Sequence, residues 1–314
     1  MTDISVVVPA RDEEKSIAAL VEETAQALGS LRWEMVIVDD GSTDGTWEEI
    51  RRASTVHPVT GIRFGRNQGK AAALSAGFAA ASGRLIATMD ADLQDDPAEI
   101  PALSAELEER GLDLVSGWKR NRLDPLSKRL PSKFFNSVVR MTTGLPLHDF
   151  NCGLKLYRGE AARWLDLYGE MHRYTPVLVS QLGYRVGEKA VNHRPRRFGR
   201  SKYGLARFFR GYADLLTVLF LHRYSFRPLH FFGGIGTTLF AGGLLVSAYL
   251  SVLWLGGESI GRRPLLLLGV FLMMIGFQFV SLGLLGEMVL RFMPGKKPFN
   301  IVETILPGTA GPPD

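Results

Sequence analysis

Arg84-Leu85-Ile86-Ala87-Thr88-Met89-Asp90-Ala91-Asp92-Leu93-Gln94 is the stretch on which the fold turns. Its first six residues follow Gly83 and read as a short buried strand. The strand ends on two carboxylates two residues apart. Upstream, apolar runs at 4–8, 34–39 and 61–64 read as three further strands. Helical spacing spans 12–28, where Ile17, Leu20, Val21 and Leu28 share one side, and the Ala-rich segment 70–81. Downstream, a helix is expected from Pro97 and a strand at 113–117. Strands alternating with helices predict an α/β domain, a mostly parallel sheet covered on both faces. Such sheets bind ligands outside the carboxyl ends of their strands. Asp39, Asp40, Asp90 and Asp92 all fall at such ends, so periodicity alone predicts one acidic crevice.

The 314 residues are 46% hydrophobic, with a formal charge of +5 and a pI near 9.3. The charge is uneven. Residues 228–257 and 264–286 contain no Asp, Glu, Lys or Arg. About 20 apolar residues suffice to cross a hydrocarbon core of roughly 30 Å, and only 258–263 separate the two stretches. The basic residues gather just before them, beginning at His193-Arg194-Pro195-Arg196-Arg197, where they face anionic lipid or phosphate rather than nucleic acid. Basic flanks at 194–227 and at Arg291, Lys296 and Lys297 predict that both ends of the hairpin are cytoplasmic, in a multi-pass protein of the inner or plasma membrane. Arg207, Arg210 and Asp214 share one face of 205–221, which suits a helix lying in the membrane interface. The expected organisation is a catalytic domain over 1–200, an interfacial helix over 201–227, a transmembrane hairpin over 228–292 and a cytoplasmic tail over 293–314. Pro/Gly content predicts disorder over 307–314. Gly233, Gly234, Gly236, Gly242 and Gly243 would allow close helix packing, including self-association into a homo-oligomer. Cys152 is the sole cysteine, so no internal disulfide forms, which fits a reducing compartment. The N-terminus carries no basic and apolar signal pattern.

Asp90 and Asp92 are hard oxygen ligands of the kind that hold Mg²⁺ or Mn²⁺ against substrate phosphates. Asp-x-Asp also occurs in solvated turns, with Asp95 or Asp96 then capping the next helix. In Asp39-Asp40-Gly41-Ser42-Thr43-Asp44-Gly45, a carboxylate at the strand end suits ribose hydroxyls or a base N–H, while Asp44 reads as a helix cap. In Arg66-Asn67-Gln68-Gly69-Lys70, backbone N–H groups and Lys70 would cradle a phosphate; an ordinary helix start is the alternative.

These segments, with Val7-Val8-Pro9-Ala10-Arg11-Asp12-Glu13-Glu14 and Asp95-x-Pro97, occur in the order seen in family-2 glycosyltransferases. With the two apolar stretches, the chain resembles the polyprenyl-phosphate glycosyltransferases over residues 4–292. The resemblance implies a GT-A catalytic domain, an inverting transfer, a nucleotide-sugar donor (UDP- or GDP-hexose) and a lipid-phosphate acceptor. It implies nucleotide-sugar contacts at Pro9, Arg11, Glu13, Asp40, Lys70, Asp90 and Gln94, and metal contacts at Asp90, Asp92 and Gln94. Asp92 and Asp149 take catalytic roles by the same resemblance, although some relatives place the acid nearer Gly153. Arg196-Arg197-Phe198-Gly199-Arg200-Ser201-Lys202 resembles an Arg-x-x-Gly-x-Ser-Lys signature, which implies acceptor-phosphate contacts at Arg197, Arg200, Ser201 and Lys202. Guanidinium and ammonium groups beside a glycine suit that task. The segment 119–133 resembles the acceptor loop and helix, which implies contacts at Lys119, Arg129 and Ser132.

A phosphate monoester with a second pKa near 6 is already ionised at neutral pH. The acceptor oxygen then needs no strong general base, and catalysis rests on positioning and on charge at the leaving diphosphate. A processive polysaccharide synthase is the rival of the same fold, but its Gln-x-x-Arg-Trp pattern is absent: Gln181 is followed by Leu182-Gly183-Tyr184. A non-catalytic membrane scaffold would leave the acidic crevice unexplained.

Overall fold

The first strand shows why the sheet is covered on both faces. In β1 (Ile4–Ala10), Ile4, Val6 and Val8 enter one apolar cluster and Val7 the other. A continuous β-branched run with both sides buried is the mark of a parallel central strand. The computed structural model describes residues 2–120, 136–165, 167–169, 171–195, 228–260, 264–292 and 301–305. Contacts divide the chain into two units, Met1–Val218 with Pro298–Asp314, and Leu219–Lys297.

In the first unit, β1 is followed by α1 (Glu14–Leu28), β2 (Trp33–Asp39), α2 (Thr46–Val56), β3 (Val59–Phe64), α3 (Lys70–Ala80) and β4 (Leu85–Thr88). A 3₁₀ turn at Pro97–Glu99 leads into α4 (Ile100–Glu109) and β5 (Leu114–Trp118). Residues 136–143 are helical, as α5. Then come β6 (Lys155–Arg158), α6 (Gly159–Arg163), a 3₁₀ turn at Met171–Tyr174, α7 (Thr175–Gln181) and β7 (Val186–Ala190). The sheet is completed by β8 (Ile301–Ile305), giving the order β7-β5-β6-β4-β1-β2-β3-β8. Among these strands only β6 and β8 run against their neighbours. Helices α1, α2 and α4 cover one face, through Ile17, Leu20, Trp47, Ile50, Ile100 and Leu103. Helices α3, α6 and α7 cover the other, through Ala73, Phe78, Ala162 and Val179.

The reversal of β6 has a consequence for the site. Its N-terminal end lies at the same sheet edge as the C-terminal ends of β4 and β5, with Lys155 paired to Thr88 and to Ser116. The loop before β6 is thereby delivered to the crevice that Asp90 enters. Residues 301–305, read from sequence as part of a tail, pair antiparallel with β3 and cover an edge that would otherwise expose unpaired backbone groups.

The second unit is a helical hairpin, α8 (Pro228–Leu255) and α9 (Pro264–Phe292). Both helices are long and apolar enough to cross a membrane, and large side chains such as Leu245, Leu267 and Phe271 are exposed along them. Glycines set how closely they approach. A Cβ on Gly236 would lie 2.6 Å from the Gly276 carbonyl oxygen, and one on Gly243 would lie 2.5 Å from that of Gly269. Gly236 and Gly243, expected to permit self-association, are thus engaged inside the hairpin, whereas Gly234 and Gly242 have open space beside them. The interfacial helix expected over 201–227 lies outside the described residues.

Candidate active site

The site is built where the loops after β2 and β3 meet. Asp40 is 5% exposed and accepts the N–H groups of Gln68 at 2.6 Å and Gly69 at 3.0 Å. Burial holds its carboxyl above the usual range, against the opposing pull of those two N–H groups and of Arg11. The Gln68 and Gly69 amides, expected to cradle a phosphate, are therefore taken by a carboxylate that reaches them first. Gly41 makes this meeting possible. Its φ is +67°, and a Cβ there would sit 2.6 Å from the Asn67 nitrogen. Gly41→Ala should lower stability by about 2–3 kcal/mol, from left-handed strain plus a backbone clash, read as a lower unfolding midpoint of the solubilised protein.

The segment after β1 is zipped to the one after β2. Thr43 N–H donates to Asp12 Oδ1 at 2.9 Å, Asp12 N–H to Ser42 Oγ at 2.9 Å, and Glu13 N–H to Thr46 Oγ1 at 2.8 Å. Asp12 adopts φ 53°, a conformation that Asp tolerates better than most residues. Pro9 lies within β1 opposite Val38, Arg11 is exposed at its mouth, and the Glu13 carboxylate accepts the Ser16 hydroxyl. Asp44, read from sequence as the helix cap, stands one residue before the N-cap of α2, which is Gly45; its carboxylate accepts from Glu14 N–H and Thr46 N–H at the starts of α1 and α2.

Asp90 stands directly beyond β4, its Oδ1 paired with the Lys70 ammonium. Crowding by protein opposes its ionisation, but Lys70, with Lys119 behind it, outweighs this and brings the carboxyl down to about 2. Asp92 is 8% exposed and accepts the Gln94 N–H at 3.2 Å. Between them and Gln94, buried Leu93 takes φ 61°, a left-handed residue that turns the chain sharply. Asp95 is not a cap. It is 1% exposed, bonds the Asp90 N–H at 3.3 Å and pairs with Lys119 at 2.7 Å. Asp96 does cap the Pro97–Glu99 turn, through Ala98 N–H, and also binds Arg194 at 2.7 Å. Arg194 N–H in turn donates to the Gln94 carbonyl.

Lys119, expected at the acceptor phosphate, is thus placed at the end of β5 with its charge turned onto Asp95. Burial opposes that charge, but Asp95 more than offsets it and raises the ammonium above the usual lysine range. Arg129, Ser132, Arg197, Arg200, Ser201 and Lys202 lie outside the described residues. Among the described residues no three His, Cys, Asp or Glu side chains form a metal cage. An ionised Asp90, Asp92 and the neighbouring Gln94 amide fit a hard divalent cation whose remaining positions are filled by phosphate oxygens and water.

In the loop before β6 the sequence points to Asp149 and Gly153, but not to the contacts that hold this loop against the site. His148 stacks on Trp118 with ring centroids 4.3 Å apart, and its N–H donates to Glu188 at 2.6 Å. Asn136 of α5 donates to the His148 carbonyl at 2.9 Å, and Phe150 is fully buried beside Val139 and Val177. Asp149, between them, is 2% exposed; its carboxylate accepts Asn151 N–H and its carbonyl accepts the Ser116 hydroxyl. Gly153 rests on the acidic pair: a Cβ there would lie 2.7 Å from Asp95 Oδ2 and 3.0 Å from Asp90 Cγ. Thr88 donates to the Gly153 carbonyl at 2.9 Å, and the buried Lys155 ammonium donates to the Cys152 carbonyl. Burial pushes the Cys152 thiol up to about 12, which keeps it neutral and unreactive. His172, in the Met171–Tyr174 turn, is within electrostatic reach of Lys70 and Asp90. Burial, helped by Lys70 and Arg173, keeps its imidazole uncharged at neutral pH. Beside Asp149, the sequence signal for these contacts was a lysine set between apolar residues in Leu154-Lys155-Leu156-Tyr157.

Residues 5–166 match the family described as Glycosyl transferase family 2. The chain is 44% identical over 297 residues to a dodecaprenyl-phosphate galacturonate synthase of Rhizobium johnstonii, covering 92% of this chain and 88% of that protein. It is 36% identical over 294 residues to an undecaprenyl-phosphate 4-deoxy-4-formamido-L-arabinose transferase of Salmonella paratyphi B, with the same coverage of 92% and 88%. Among solved structures it is similar to glucosyl-3-phosphoglycerate synthase from Mycobacterium tuberculosis in complex with Mn²⁺, UDP-glucose and phosphoglyceric acid. There the TM-score is 0.55 and the identity 21%, over 70% of this chain and 79% of that one. The same enzyme with Mg²⁺ and UDP gives the same values. At this identity the likeness shows the fold alone, a GT-A domain.

Proposed function

Because the chain belongs to glycosyl transferase family 2, we propose that it moves a sugar from a nucleotide-sugar to a polyprenyl monophosphate, with inversion, at a membrane surface. The observation that carries this is the paired Asp90 and Asp92 at the β4 end of a GT-A sheet, in a chain that also holds two helices apolar enough to span a bilayer. The printed names of the relatives, a dodecaprenyl-phosphate and an undecaprenyl-phosphate enzyme, support the lipid acceptor.

Mg²⁺ or Mn²⁺ held by Asp90, Asp92 and Gln94 would supply positive charge to the departing nucleoside diphosphate. This chain's own residues do the rest. Asp40, at the β2 end, takes the nucleoside. Lys70, at the start of α3, adds a cation beside Asp90 where diphosphate charge develops. Lys119 and Asp95 hold the Asp90 backbone in place. Arg129, Ser132, Arg197, Arg200, Ser201 and Lys202 receive the acceptor phosphate in this reading, and Asp149 orders the loop beside it. The acceptor's ionised oxygen is the nucleophile, so no residue need remove a proton from it. A bilayer-bound polyprenyl chain presents its phosphate only at the interface, which accounts for an anchored catalyst with both hairpin ends cytoplasmic.

The test is a donor screen with radiolabelled nucleotide-sugars and short polyprenyl phosphates. A nucleotide-hexuronate comes first, given the 44% identical relative. Label should enter the lipid phase with one donor, cease with EDTA and return with Mn²⁺ or Mg²⁺. Transfer that persists undiminished after chelation would remove the metal from this account.

A further inference from the structure

A lysine with 4% of its surface exposed, in a strand between two others, needs a reason. Burying an ammonium costs several kcal/mol unless it is paired and hydrogen-bonded. Packing alone would favour Met or Leu at that place. Lys155 is instead flanked by the polar residues Thr88 and Ser116, and its ammonium reaches back to the Cys152 carbonyl. One residue on, the Gly153 carbonyl is held by Thr88 at 2.9 Å. Two successive carbonyls are therefore pinned to the strand ends beneath them. The same glycine abuts the Asp90 and Asp95 carboxylates, at a distance that no side chain would permit. Burial pulls the Lys155 ammonium below the usual lysine range, and the charges of Asp149, at the start of this loop, and of Asp90 oppose that pull.

We propose that Lys155 is a positioning residue: its buried ammonium holds loop 149–153 down on the end of β4, and so sets where the Asp90 carboxylate stands. This rests on reading the crevice as the nucleotide-sugar site. Lys155 touches neither substrate nor metal. Without its ammonium, Gly153 lifts from Asp90, and the carboxylate loses the surface that fixes it. Displacements of about 1 Å in a reacting site cost on the order of a hundredfold in rate.

The experiment uses the full-length solubilised protein with Lys155→Met, which keeps the length and removes the charge. Three quantities are measured: the unfolding midpoint, the calorimetric affinity for Mn²⁺ with UDP and separately with GDP, and the transfer kinetics. The Met variant sheds the desolvation of a buried charge but leaves the Cys152 carbonyl without its donor, so its unfolding midpoint serves to show that it is folded. It should bind the Mn²⁺–nucleoside diphosphate about tenfold more weakly. Its kcat should fall about a hundredfold, with the KM for the polyprenyl phosphate within about threefold of wild type. A folded Met variant with wild-type affinity and kcat overturns the proposal. If Lys155→Met does not fold, Thr88→Val decides, since it releases the neighbouring Gly153 carbonyl, while the Tyr157 hydroxyl that also meets Thr88 keeps Thr175 as its partner: weakened Mn²⁺–diphosphate binding supports the proposal and unchanged binding overturns it. A wild type that binds but transfers to no lipid phosphate defeats the functional reading, and the binding comparison still judges Lys155. A wild type that binds neither diphosphate overturns both.

Discussion

Asp90→Ala and Asp92→Ala each lower kcat/KM for sugar transfer by about a thousandfold, a loss of about 4 kcal/mol of transition-state stabilisation. The fold survives both changes. The Lys70–Asp90 pair is more than a third exposed on each side, and pairs of that kind contribute no more than about 1 kcal/mol. At Asp92 the hydrogen bond from Gln94 N–H is lost, which costs about 1 kcal/mol. Activity and stability therefore part company. The unfolding midpoint stays within a few degrees, while turnover falls to the limit of detection and added Mn²⁺ does not restore it. Either variant keeping full metal-dependent transfer would show that the strand-end pair is a turn and nothing more.

Gly153→Ala is the second large effect, and it acts without removing any functional group. The new methyl would lie 2.7 Å from Asp95 Oδ2 and 3.0 Å from Asp90 Cγ. A free carboxylate could swing aside. Asp95 is not free: it is tied to Lys119 and to the Asp90 N–H. Nor can the glycine retreat, since Thr88 holds its carbonyl and Lys155 holds that of Cys152 beside it. The strain is worth about 1–3 kcal/mol. It falls on the residues that must present the metal, so turnover should drop at least a hundredfold, together with a weakened Mn²⁺ requirement curve. Steady-state kinetics at varied Mn²⁺ reads both. A Gly153→Ala enzyme with wild-type metal response would mean that the loop has slack that the close packing does not show.

Much of this site was legible because strand ends are legible. Runs such as Met35-Val36-Ile37-Val38 and Leu85-Ile86-Ala87 are continuous because both sheet faces are buried, and the acidic residue after each run marks the edge where ligands collect. Asp40, Asp90 and Asp92 were found in that way. Other parts were hidden for a physical reason. β6 (Lys155–Arg158) and β7 (Val186–Ala190) each carry two charged residues in a few positions, so neither shows an apolar run. β8 does carry a β-branched run, Ile301-Val302-Glu303-Thr304-Ile305, but its partner β3 lies more than two hundred residues earlier, so spacing along the chain gives no hint of the pairing. Lys119 reads in sequence as one more basic residue before a basic loop. Its partner Asp95 is brought to it by sheet order, β5 lying beyond β6 from β4, and not by spacing along the chain. The segment Arg66-Asn67-Gln68-Gly69-Lys70 was read only in part for a similar reason: Gln68 and Gly69 do offer N–H groups, but Gly41 lets Asp40 come close enough to take them.

In the proposed reaction the sugar itself, not a sugar phosphate, passes to a lipid phosphate. The most direct measurement follows both products of one reaction: the mass of the modified lipid and the nucleotide released. The account predicts a lipid one dehydrated sugar residue heavier than the polyprenyl monophosphate, formed in equal amount with nucleoside diphosphate. Release of nucleoside monophosphate with a lipid diphosphate, or growth of a polymer on a sugar hydroxyl, would contradict it.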